Sequence, residues 1–118
     1  MIANRELEGI EFLWETGLGE RFDTYRSETA APEPLVLAAA LVETALVEQR
    51  LGAGVADPAP LLVADLCLAR SSRLLAESAS QPVQVEFARA VEAAATVAAE
   101  GGALPIRPRL LAILKAAS

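Results

Sequence analysis

The stretch PLVLAAALVETALVEQRL, residues 34–51, decides the fold. Proline opens it, at a place where a helix loses nothing by a missing N–H, and Gly52 and Gly54 follow as stop signals. The spacing therefore predicts one long helix over residues 34–51. Residues 35–42 are apolar around the whole helical circumference, so this helix is either central in the fold or covered by a second chain. Upstream, Asn4 is placed to cap a first helix that carries Leu7, Ile10, Leu13 and Trp14 at helical spacing, with Glu8, Glu11 and Glu15 outside. Gly17 and Gly19 interrupt it. Leu18, Phe22 and Tyr25 continue the stripe, in a short helix or kinked continuation that ends near Ser27, before a proline-bearing joint at residues 29–34.

Downstream, Asp57 and Pro58 start a third helix running to about Ser78. Ser80 or Gln81 with Pro82 starts a fourth, which stops at Gly101 and Gly102. This fourth helix reads as amphipathic, with Glu86, Arg89, Glu92, Thr96 and Glu100 opposite Phe87, Ala88, Val91, Ala94, Ala95 and Ala98. A proline elbow at residues 104–108 leads to a terminal helix at 109–116. The expectation is one all-α helical bundle, a single domain over residues 1–118. Composition agrees: the apolar residues are mostly Ala (25) and Leu (18), which head the helix scale.

The same counts remove much chemistry. Ten Lys and Arg against 16 Asp and Glu give a net charge of -6, so there is no basic footprint for nucleic acid. No His is present and Cys67 is the sole cysteine, which excludes imidazole bases, Ser-His and Cys-His pairs and multi-Cys zinc sites. The longest apolar run is far shorter than the roughly 20 residues a bilayer needs, and Arg5, Glu6, Glu8 and Glu11 stand where a signal peptide would be apolar. The expectation is a cytoplasmic protein without a membrane span.

Carboxylates remain. Glu6, Glu8, Glu11, Glu15, Glu43 and Glu48 read as solvated positions. Asp65, among apolar neighbours in the third helix, reads as a buried structural acid satisfied by Arg50, Arg73 or Thr44. Cys67 reads as a buried inert thiol, Ser71 and Ser72 as ordinary polar positions, and RLGAG at 50–54 as a helix stop in place of a phosphate loop. No catalytic, metal or cofactor-binding residue is expected.

Three stretches in order resemble the front part of a trans-polyprenyl diphosphate synthase, the all-helical isoprenoid chain-elongating family. PEPLVLAAALVETA, residues 32–45, is similar to the family helix that follows a Gly-Lys-Arg-x-Arg-Pro element. LLVADLCLARSSRLLAE, residues 61–77, is similar to a Gly-Asp-x-Leu-Leu-Ala-x-Ala segment, with Asp65 at its aspartate and Leu68 and Ala69 at its Leu-Ala. The fourth helix matches the next family helix in placement. The resemblance implies the N-terminal part of the isoprenoid synthase fold. The family's cationic diphosphate clamp falls on Thr29, Ala30, Ala31, Pro32 and Glu33, and its first aspartate-rich metal motif on Val47, Glu48, Gln49 and Arg50. With Asp23, Asp57 and Asp65 the only aspartates, neither metal motif is present. The resemblance with these departures implies a noncatalytic chain without cofactor: a small regulatory subunit for a larger catalytic prenyl synthase. The alternative is a self-associating protein of unrelated function. Without a partner a homodimer is expected, through residues 35–42 and 61–69, and the same face is the one expected to dock onto a catalytic synthase.

Overall fold

The computed structural model describes residues 7–52 and 56–117. Among the described residues five α-helices follow a kinked π-helical turn at Trp14–Leu18: α1 (Gly19–Glu28), α2 (Glu33–Gly52), α3 (Ala59–Ser78), α4 (Gln81–Ala99) and α5 (Ile106–Ala116). The all-α bundle expected from the sequence is the observed architecture. Helix α2 is its axis. Every residue from Leu35 to Ala45 is buried, and α3 lies along α2 over the most extensive contact in the molecule, with α1 and α5 closing other sides. Ala38, Ala39, Ala40 and Ala45, all fully buried, hold the side-chain layer on α2 thin and let neighbouring axes approach. The apolar circumference of residues 35–42 is thus covered by the chain's own helices. It is not available to a second copy, which corrects the expectation that it forms a dimer face.

Two boundaries and one buried face differ from the sequence reading. Residues 7–11 form turns where a helix was expected, with Gly9 at φ 84° and its N–H donated to Glu11 Oε2 at 3.1 Å. Ile10 and Leu13 are buried all the same, so the apolar stripe survives without a regular helix. The expected cap at Asn4, like Gly54, lies outside the described residues. Helix α5 begins at Ile106, a turn earlier than expected, because Pro108 falls in the first turn, where no intrahelical donor is needed. On α4 the buried stripe is Phe87, Ala90 and Ala94, while Ala88, Ala95 and Ala98 are exposed. Phe87 decides which face turns inward, since alanines contribute too little apolar area to do so. Asp57 Oδ1 accepts the Ala59 N–H at 3.0 Å, and the Ser80 hydroxyl caps α4, as the start signals implied.

Gly17 interrupts the N-terminal segment, whereas Gly19 is required for space and not for conformation. Gly17 has φ 133°, a conformation open mainly to glycine, and a Cβ there would lie 2.9 Å from Arg21 Nη1. Gly19 is helical, but a Cβ there would sit 2.8 Å from Trp14 Cε2 and 2.9 Å from the Trp14 carbonyl oxygen. The Trp14 indole in turn lies 5.5 Å from the Phe22 ring. Gly19→Ala should therefore cost about 1–3 kcal/mol through overpacking. Thermal melting checks the loss, and the fluorescence of Trp14, the sole tryptophan, should report a displaced indole.

Candidate functional site

Helix α2 passes from its apolar run into Glu43 and Thr44, both buried. Three side chains from two other helices converge there. Tyr25 of α1 donates its hydroxyl to Glu43 Oε1 at 2.6 Å. Arg107, in the first turn of α5, donates Nε to Oε1 at 3.0 Å and Nη2 to Oε2 at 2.6 Å, a bidentate fork. Arg21, one turn before Tyr25 on the same face of α1, places Nε 3.3 Å from Glu43 Oε2 and donates Nη1 to Thr44 Oγ1 at 3.1 Å. The Thr44 hydroxyl donates to the Ala40 carbonyl at 2.8 Å, and the Arg107 guanidinium lies 5.8 Å from the centre of the Tyr25 ring. Among the described residues no buried side-chain polar atom lacks a partner.

Burial pushes the Glu43 carboxyl pKa upward, but the hydrogen bonds from Arg107 and Tyr25 and the charges of Arg107 and Arg21 outweigh it and hold the group below its ordinary value. Tyr25 is raised by burial first and then by its bond to the Glu43 carboxylate, and Arg107 is raised chiefly by its bond to Glu43. Glu43 is thus ionised and surrounded by donors on both oxygens. A general base needs a free lone pair and a pKa near the working pH, and Glu43 has neither. Its chemistry is that of a tether joining α1, α2 and α5.

This cluster corrects the reading of Glu43 as a solvated acid. The sequence holds only the parts of this cluster, a run with no solvent face ahead of Glu43 and an Arg21–Tyr25 pair four apart on one face of a short helix; that they meet is set by tertiary packing. Asp65 is the converse correction. It is exposed, because α3 buries Ala64, Cys67, Ser71, Leu74 and Leu75 and turns Asp65 outward beside Leu61, Leu62 and Leu66, themselves 45 %, 63 % and 37 % exposed. Apolar neighbours in sequence did not mean apolar surroundings. Its expected partners are elsewhere: Arg50 and Arg73 are exposed, and Thr44 holds Arg21.

Cys67 is buried as expected, and burial, with the Glu48 charge adding to it, pushes its thiol up to about 11. It should react with a thiol reagent only as fast as the native state opens, which stopped-flow labelling against denaturant checks. Ser71, expected to be an ordinary polar position, is buried and donates to the Leu68 carbonyl at 2.9 Å, while Ser72 is exposed.

A cleft of about 470 Å³ separates the second half of α2 from α4, lined by Leu46, Val47, Ala94, Ala98, Leu104 and Ile106 with Glu43, Gln49 and Arg50 as its polar groups. Its one buried acid is the Glu43 already bound by two arginines. Among the described residues no group of three or more acidic or cysteine side chains is placed to hold a metal ion, and no helix is long and apolar enough to cross a membrane. Comparison with protein-family models, with characterised proteins and with solved structures finds no match to the chain.

Proposed function

We propose that the chain is a noncatalytic helical association protein, similar to the front part of a polyprenyl diphosphate synthase and acting as the small regulatory subunit of a larger catalytic prenyl synthase. The observation that carries the association is the outward face of α3, where Leu61, Leu62 and Leu66 stand exposed side by side. Three large aliphatic side chains on adjacent turns of one helix are surface that a partner buries with gain. The noncatalytic part is supported by Glu43, whose lone pairs are committed to Tyr25, Arg107 and Arg21, and by the residues standing at the family's diphosphate and metal positions, which include no paired aspartates.

Co-expression with a full-length polyprenyl diphosphate synthase of the same organism tests the reading. The chain should co-purify with the synthase and alter its product length, and alone with Mg²⁺ it should not elongate an allylic diphosphate. Elongation by the isolated chain, or a synthase that purifies without it, would contradict the proposal.

A further inference from the structure

The exposed face of α3 is patterned about its own middle. Ala69 is exposed and lies on the side of the helix opposite the buried Cys67, Ser71 and Ala64. Pairing positions equally far before and after Ala69 matches unlike with unlike: Leu66 with Ser72, Asp65 with Arg73, and Leu62 with Ala76, all six exposed. The side chains of Asp65 and Arg73 make no hydrogen bond or ion pair with any described residue of the chain. In a two-fold pair of antiparallel helices, residue i of one copy comes level with residue j of the other, and j with i. That operation, centred on Ala69, brings Leu62 and Leu66 level with small residues and Asp65 level with Arg73, while Leu61 comes level with Glu77 at the margin of the pair. A small residue at the axis also lets two helices approach to about 9–10 Å, within the usual interaxial range, which leaves facing Cα atoms roughly 4.4–5.4 Å apart.

We infer that the outer face of α3 binds a second copy of this chain, as an antiparallel α3–α3 pair with its two-fold axis at Ala69. The inference rests on the reading of this face as an association surface: the second copy occupies it when the synthase is absent, and the two partners exclude one another. Asp65 and Arg73 lie about 6 Å on either side of the axis at 1.5 Å per residue, so the dimer carries two intermolecular Asp65–Arg73 ion pairs flanking the Ala69 contact. A parallel pair would instead set Asp65 beside Asp65 and Arg73 beside Arg73, so the charges select the orientation.

Two sets of variants test it, all at exposed positions that leave the core and the Glu43 tether untouched. Ala69→Cys should form a disulfide-linked dimer on mild oxidation, because Cα atoms facing each other across the axis fall within the roughly 4.4–6.8 Å that a disulfide spans. Ala76→Cys should not, since its two copies lie about 21 Å apart along the pair. Asp65→Arg should convert the dimer to monomer in light scattering at micromolar concentration, and Asp65→Arg combined with Arg73→Asp should restore it. A monomeric wild type, an Ala76→Cys crosslink as ready as that of Ala69→Cys, or an Asp65→Arg chain that stays dimeric would overturn the inference. Prenyl elongation by the isolated chain would refute the proposed function while leaving this pairing intact, so the two failures are distinguishable.

Discussion

Glu43→Ala should lower folding stability by roughly 3–5 kcal/mol, toward the lower end of that range. The substitution removes the carboxylate that, among the described residues, Arg107, Arg21 and Tyr25 share, and leaves two guanidinium groups that both lay against Glu43 Oε2 without their counter-charge. Arg107 is 43 % exposed in its side chain and can take up water, which moderates the cost; for the same reason Arg107→Ala should cost less than Glu43→Ala. The contribution of Glu43 also depends on pH in a determined direction. Its folded pKa lies below its ordinary 4.5, so the stabilisation is complete above that value and is lost as pH falls through the folded pKa. Urea unfolding of wild type and Glu43→Gln from neutral pH down to acid should show the gap between them closing only below about 4.5. A constant gap across that window would mean that the charge of Glu43 does not serve as the tether.

The second large effect is expected at Phe87. It is 2 % exposed and is the only large side chain that α4 buries completely; its companions are Ala90 and Ala94. Clefts run along both sides of α4, one beside Val42, Leu68 and Leu75 and the other against the second half of α2. Phe87→Ala should cost about 3–5 kcal/mol, because the cavity opens next to space that is already loosely filled. Phe87→Leu should retain most of the stability. Hydrogen exchange locates the effect: α4 amides should lose protection first, while those of α2 and α3 change least. Equal loss of protection in all helices would show that Phe87 supports the whole core and not α4 in particular.

The helices were legible where punctuation and composition agree. Pro34 and Gly52 bracket α2, and the apolar circumference of residues 35–42 identified its central place, though not what surrounds it. Burial of single acids was not legible. Asp65 and Glu43 have similar apolar neighbours along the chain, yet one faces water and the other is enclosed, because α3 is covered on one side and α2 on all sides. That difference is tertiary and has no local signature. Arg107 was hidden for a local reason: an elbow with Pro105 and Pro108 reads as irregular, whereas Pro108 is tolerated in the first turn and the helix that begins at Ile106 aims Arg107 at Glu43. On α4 the alanines misled, since Ala88, Ala95 and Ala98 count as apolar in a pattern but carry little weight in deciding which face is buried.

The role of α3 as an association surface is tested most directly by sedimentation velocity of the wild type and of Leu62→Glu at micromolar concentration. Leu62 is the most exposed of the three α3 leucines, so the substitution places a charge on the surface without disturbing the buried residues. The wild type should sediment at twice the chain mass, and Leu62→Glu at the monomer mass with unchanged helix content. A monomeric wild type, or a Leu62→Glu chain that keeps the dimer mass, would contradict that role.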